Sequence, residues 1–295
     1  MAFDISRLTS NVELPKNLSS DIWGEVLEES VIMKLANKMT MPGTGVTVQT
    51  ITNEPVASWT SETDVKQVSN HEFGSKAVTP YKLAVIEAFS DEFKRDLPRL
   101  YDECKARLPK ALSKKFDETV LHGTAPGSGF DVLTNCTSVS IAEDPYGGLV
   151  AADAAIAAAN GEMNGIALSP VGKSILLNKV DTTGRPIFNN NVHEKGFGDI
   201  LGAKVATSKA VYQAGDKSSS TPALVGIAGD WSDAFYGTVE GIKMTVSDQA
   251  SLNIGGQTVS LFQNNMFAVR FEIEVAFAVK DAAEFVRLTG AVPTV

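Results

Sequence analysis

The residues best placed by type and spacing to do chemistry lie in ALSPVGKSILL, residues 167–177. A short apolar run there leads through Gly172, Lys173 and Ser174 into a helical pattern, the strand–loop–helix context in which backbone amides cradle phosphate. The pattern is incomplete. A loop of the G-x-x-x-x-G-K-S type needs glycine where Ala167 stands, and Pro170 removes an amide from the cradle. The plain alternative is a surface Lys173 beside an ordinary helix start. His71, His122 and His193 stand far apart, without His or Cys partners at ligand spacing, so no metal site is expected. Ser128 sits between two glycines but not in G-x-S-x-G, and its surroundings GTAPGSG read as a flexible turn. The pairs Glu28 and Glu29, and Asp117 and Glu118, fit solvated helix faces. Cys104 and Cys136 are too few for a disulfide framework and lack C-x-x-C spacing. No catalytic residue and no cofactor are expected from this inventory.

The elements that would position these residues are uneven in clarity. Residues 21–39 place Ile22, Val26, Ile32, Leu35 and Met39 near helical spacing, with Ser20 as N-cap, and predict a helix-bearing arm. VTVQTI and KLAVIEAF are β-rich and flank a polar run over residues 53–80. A connection of that length is uncommon inside a compact domain, so it is expected to protrude and meet a partner. Trp59 and Phe73 lie in it, large apolar side chains that a neighbouring subunit can cover. Ser90, Asp91 and Glu92 cap the longest helical pattern, which stops at Gly123. Pro98 suits a first helical turn, whereas Pro109 falls inside the pattern and predicts a bend near Lys105.

Beyond the GTAPGSG turn an α/β region follows: a helix in GGLVAADAAIAAAN, a strand in GIALS and a helix opened by Pro170. Strands are expected at residues 203–206, 223–228 and 242–246. The clearest element is the run from Phe267 to Val279, where Phe, Val and Ile alternate with Ala, Arg and Glu, the period of a strand with one buried face.

Composition bounds the function. The chain has 295 residues, 43% of them apolar, and a formal net charge of −9. That allows a substantial core and argues against a protein built to grip nucleic acid, while a DNA container whose lining repels DNA is still allowed. The apolar runs fall short of the roughly 20 residues of a membrane helix, and the first residues lack a signal-peptide layout.

Three phrases carry the most specific signal: GRPIF…GFGDILGAKV from Gly184, GDWSDAFYGTVEGIKMTVSD from Gly229 and FQNNMFAVRFEIEVAFAV from Phe262. With the order of arm, long extended loop, long helix ending in LHGT, α/β lobe and final strand, the chain resembles the tailed-bacteriophage major capsid proteins of the Hong Kong 97 fold over nearly its whole length. The resemblance implies an α+β chain with an N-terminal arm (1–45), an extended E-loop with flanking strands (46–89), a P-domain with a long spine helix (90–147), an α/β A-domain (148–257) and a C-terminal P-domain strand (258–295). It implies self-assembly as pentamers and hexamers into an icosahedral shell around double-stranded DNA, held without sequence-specific contacts. The expected location is the virion, after assembly in the host cytoplasm, with no membrane. A portal, a decoration protein and a separate scaffold are the expected partners, the last because the arm begins so close to its first helix.

The resemblance also implies a cross-linking set. In the type member a lysine of the E-loop forms an isopeptide bond with an asparagine of a neighbouring P-domain, assisted by a glutamate, and Lys66, Asn265 and Glu272 stand at the matching positions. The bland reading is a polar loop residue, a turn residue and an exposed strand residue. Trp59, Lys66 and Phe73 are the expected inter-subunit contacts. Two alternatives accompany this reading: an encapsulin-like nanocompartment shell, and a soluble α/β enzyme using Gly172, Lys173 and Ser174 on phosphate.

Overall fold

The computed structural model describes residues 30–291 apart from 54, 63–64, 70–71, 97, 182, 189–197 and 255. Two sheets organise it. The first is built around β14 (Met266–Val279), whose one edge pairs antiparallel with β4 (Tyr81–Ser90) from Met266 opposite Ser90 to Val275 opposite Tyr81. Its other edge is shared end to end by β11 (Lys243–Ser247) and β10 (Ala234–Thr238), and β1 (Asn37–Thr40) runs parallel to β10. The second sheet has the order β5–β15–β9–β6–β8–β7. Its members are β5 (Thr137–Ser140), β15 (Phe285–Thr289), β9 (Leu224–Gly229), β6 (Gly165–Leu168), β8 (Ala203–Thr207) and β7 (Asp199–Ile200).

The alternation in β14 holds from Val269 to Val275 and then gives way to burial on both faces. There Ala276 and Ala278 meet Met41 and Val78 on the side opposite the main core. This strand is therefore central, with neighbours on both edges, and it is not the last: β15 follows it into the other sheet. The strand expected at residues 242–246 joins β14, not the sheet that holds β8 and β9. Sheet membership thus crosses the boundaries expected at 147 and 257, because β15 pairs with β5 on one edge and with β9 on the other.

The spine helix reads much as expected. A short helix α2 (Asp91–Asp96) follows β4, and α3 (Pro98–His122) opens on Pro98 and continues through Pro109 without a break. Leu108, Leu112, Phe116 and Val120 recur at helical spacing and are buried against β4 and β14. The arm differs from its prediction. Of residues 30–40, only α1 (Val31–Leu35) is helical, with Ser30 as its N-cap, and the chain from Asn37 is strand β1; Ile22, Val26 and the proposed cap Ser20 lie outside the described residues.

Helices α4 (Pro145–Ala158) and α5 (Pro170–Leu177) cover one face of the second sheet, with Leu149, Ile156 and Leu176 against Ile166, Val225 and Val286. Ile227 and Leu224 point to the other face and into the core shared with α1 and α3. The GDW phrase ties the sheets together where β9 ends and β10 begins. The Asp230 carboxylate accepts from the Glu162 and Ser232 amides and from the Asn164 amide group, 3.1, 3.0 and 2.6 Å away. Burial pushes this carboxyl up, but the Ser232 and backbone hydrogen bonds outweigh it and hold it below the usual carboxylate range. Trp231 is buried, donates from Nε1 to the Gly165 carbonyl at 3.0 Å and meets Phe285 edge-on. A Cβ on Gly165 would stand 2.5 Å from the Trp231 ring, so the glycine is required by this approach.

Candidate subunit-contact surfaces

The polar run read as one long loop is in fact a β-hairpin. Strand β2 (Val46–Asn53) pairs antiparallel with β3 (Glu72–Val78), so EFGSKAV is strand where alternation is too weak to predict it. The described residues of the tip, between β2 and β3, form neither helix nor strand. Its root is fixed to the first sheet by Lys76, whose ammonium lies 2.6 Å from the Asp131 carboxylate and donates to the Val279 carbonyl at 2.7 Å. The same carboxylate accepts from the Val279 amide. Nor is GTAPGSG a flexible turn. The Thr79 amide donates to Gly129, and the Tyr81 hydroxyl donates to the Ser128 carbonyl. Gly129 has φ +78°, and a Cβ there would come within 2.7 Å of Thr79. The glycines let this strap lie flat on the hairpin root.

At the tip the chemistry reverses from polar anchoring to apolar display. Trp59 is wholly exposed, with Val56, Val65 and Val68 almost as open. Lys66 stands exposed among them. Phe73 pairs with Ile51 within the hairpin ladder, and its side chain is outside the description.

Asn265 ends a 3-10 turn at Phe262–Asn264 in the left-handed conformation, φ 51°. Its carbonyl accepts from the Asp91 amide. Its carboxamide is exposed and, among the described residues, makes no hydrogen bond. Glu272 lies seven residues along β14, Oε1 3.3 Å from Arg270 Nε, its side chain only 17% exposed. At about 3.3 Å per residue the two are separated by roughly 23 Å of strand. One chain therefore does not bring Glu272 to Asn265.

The other sequence candidates resolve into structure. Ser169 caps α5 by accepting from the Gly172 amide at 3.0 Å, and the Lys173 amide donates to the Ser169 carbonyl. A Cβ on Gly172 would stand 2.7 Å from the Val225 carbonyl. The glycine serves helix–sheet packing, and its amide is spent on the cap, so no phosphate cradle exists. His122 Nε2 lies 3.0 Å from the Ala210 carbonyl, joining the end of α3 to the turn after β8. His71 and His193 lie outside the described residues. Cys136 is half-buried, and burial pushes its thiol up to about 11, which makes it a poor nucleophile. Among the described residues no group of His, Cys, Asp and Glu is arranged to hold a metal ion. No helix described is long and apolar enough to cross a membrane.

Residues 11–290 match the model of the phage capsid family. The chain belongs to that family. This capsid chain is 30% identical over 291 residues to the probable major capsid protein of Mycobacterium phage L5, covering 92% of this chain and 87% of that one. It is 27% identical over 285 residues to the corresponding protein of Mycobacterium phage D29, covering 93% and 89%. A solved structure from Gordonia phage Cozz superposes with a TM-score of 0.72 at 24% identity, covering 95% of this chain and 92% of that one, and shows the same mixed α+β fold.

A further surface of the capsid chain escaped the sequence reading. Tyr146 and Val150 on α4, and Val171 and Leu177 on α5, remain exposed although large and apolar. The signal was present: apart from Asp153, α4 carries no charge, with Leu149 and Ile156 inward and Val150 outward, which a helix with only one buried face does not need.

Proposed function

We infer that this phage major capsid protein tiles an icosahedral head of the Hong Kong 97 type, as pentamers and hexamers around double-stranded DNA. In this reading the β2–β3 hairpin is the E-loop, α3 the spine of the P-domain, and the second sheet with α4 and α5 the axial A-domain. The observation that carries it is the hairpin itself. It is rooted by a charged, hydrogen-bonded base and ends in a tip of apolar side chains that stand exposed among the described residues. A tip of that kind gains its burial from a neighbouring subunit, and a closed ring of such contacts sums many modest interfaces into a durable shell.

The exposed carboxamide of Asn265 and the exposed Lys66 support a covalent lock between copies. The neutral lysine amine attacks the carboxamide carbon, the new C–N bond forms, and the amide nitrogen leaves as ammonia. Glu272 would accept the ammonium proton. Since about 23 Å of strand separates Glu272 from Asn265 in one chain, the glutamate that serves a given asparagine must come from another copy.

Electron microscopy of the purified chain tests the tiling. Wild type is expected to form closed shells, and Trp59→Ala to remain as small oligomers while melting at the wild-type temperature. Shells of normal yield from Trp59→Ala would remove the hairpin tip from the assembly contacts.

A further inference from the structure

Although the chain is acidic overall, one concavity of about 620 Å³ is lined by four lysines: Lys34 of α1, Lys110 and Lys114 of α3, and Lys209 of the turn after β8. Thr207, Ser208, Ala210 and Pro170 complete its wall. All four lysines are exposed. The three segments converge because α1 is wedged between α3 and the second sheet, fixed there by the Asp117 carboxylate. Lys114 lies 3.6 Å from Glu118, and Lys34 is close enough to Asp117 to favour its ionised form, although that carboxylate is spent on α1. Among the described residues, no carboxylate lines the groove itself.

We propose that this groove binds the phosphodiester backbone of nucleic acid. Net charge describes solubility, whereas binding depends on the local field, and like charges gathered in one concavity attract a polyanion. Lys110 and Lys114 stand about 6 Å apart along the helix axis, one turn, so they present two cations in a row. A single small anion would be satisfied by two of the four. The lining also discriminates between classes of polyanion. It contains no arginine fork for bidentate capture of carboxylates and no large apolar side chain to anchor a folded partner. Point charges and hydroxyls suit a chain of phosphates held without regard to base sequence. The source of the nucleic acid, the packaged genome, rests on the capsid reading above.

The test measures fluorescence anisotropy of a labelled DNA duplex, titrated with the unassembled full-length chain at a series of salt concentrations. The comparison is a variant carrying Lys34→Gln, Lys110→Gln, Lys114→Gln and Lys209→Gln. Each phosphate contact contributes about 0.9 to the slope of log affinity against log salt, so removing four such contacts is expected to lower the slope by about 3.6, with at least a tenfold loss of affinity at low salt. An unchanged slope overturns the proposal. Competition by poly-glutamate as effective as that by DNA at equal charge also overturns it, in favour of an acidic protein segment. The four Lys→Arg substitutions, which keep the charge, are expected to restore binding and control for folding. Shell formation is scored separately by electron microscopy: wild-type chains that form no shells count against the capsid reading, whereas shells with an unchanged slope count against the groove alone.

Discussion

Removing the Asp117 carboxylate strands three donors at once. Its Oδ1 accepts from the Ser30 hydroxyl at 2.7 Å and the Ile32 amide at 3.4 Å, and its Oδ2 from the Val31 amide at 2.9 Å. These are the orphan amides of the start of α1, reached from α3 across 86 residues of sequence. Asp117→Ala is expected to destabilise the free subunit by about 3 kcal/mol, since buried donors lose a charged acceptor. Asp117→Asn keeps one acceptor and should cost less. The pH dependence follows from burial, which pushes the carboxyl up to about 6 despite the hydrogen bonds from Ser30, Val31 and Ile32. A folded value above the unfolded one means that the folded state holds the proton more tightly. The contribution of this group is therefore fully present below its unfolded pKa, near 3.9, and is lost as pH rises through about 6. The stability advantage of wild type over Asp117→Asn is expected to shrink by roughly 3 kcal/mol between about pH 4 and pH 7. Denaturant titrations of both proteins across that range check the sign; an advantage that grows with pH would show that the hydrogen bonds outweigh burial.

At the scale of elements, α3 presents a conflict that its surroundings resolve. Pro109 supplies no amide to the Lys105 carbonyl, yet the helix continues through it, with the Ser113 hydroxyl donating to the Pro109 carbonyl at 3.2 Å. Packing of Leu108, Leu112 and Phe116 holds the segment helical against that local cost. Pro109→Ala restores a donor and is expected to stabilise the free subunit by about 1 kcal/mol, measured as a rise in melting temperature of a few degrees at most. A fall would mean that the proline ring fills space an alanine leaves empty. The same element shows why some of this molecule was legible in sequence and some was not. Helical period and capping residues located α3, α4 and α5, and two-residue period located β14, because each buries a face against a core that the pattern announces. Strand β3 was invisible because EFGSKAV gains its order from pairing with β2 and from the Lys76–Asp131 root, both remote in sequence. The assignment of β10 and β11 to one sheet, and of β5 and β15 to the other, was equally hidden, since alternation reports a buried face but not the neighbour along an edge. Of the contact surfaces, Trp59 was legible as a large apolar residue in a polar run. The lysine groove was not, because its members are brought together only by folding.

For the whole molecule, the subunit and the shell place opposite demands on the same residues. Trp59 is wholly exposed among the described residues, so its loss should leave subunit stability within about 0.5 kcal/mol of wild type and act only on assembly. The cross-linking set divides in the same way. Lys66 and Asn265 are exposed, and Glu272 makes its close ion pair with Arg270 on its own strand, roughly 23 Å along β14 from Asn265 of the same subunit. In the proposed lock, reaction therefore awaits the arrangement of copies in the shell, which would confine an irreversible step to subunits already in place. Purified shells run on a denaturing gel are expected to show a ladder of covalent multimers, whereas unassembled subunits run at 31.4 kDa alone. Lys66→Ala and Asn265→Ala should each abolish the ladder without preventing shell formation, because neither side chain contributes packing to its own subunit. Glu272→Gln should slow the ladder's appearance, since removing the proton acceptor leaves the nucleophile and the carboxamide intact. Mixing Lys66→Ala with Asn265→Ala subunits before assembly provides the decisive arm. A lysine from one copy and an asparagine from another should partly restore the dimer band, and monomer bands alone from wild-type shells would leave the head held by packing.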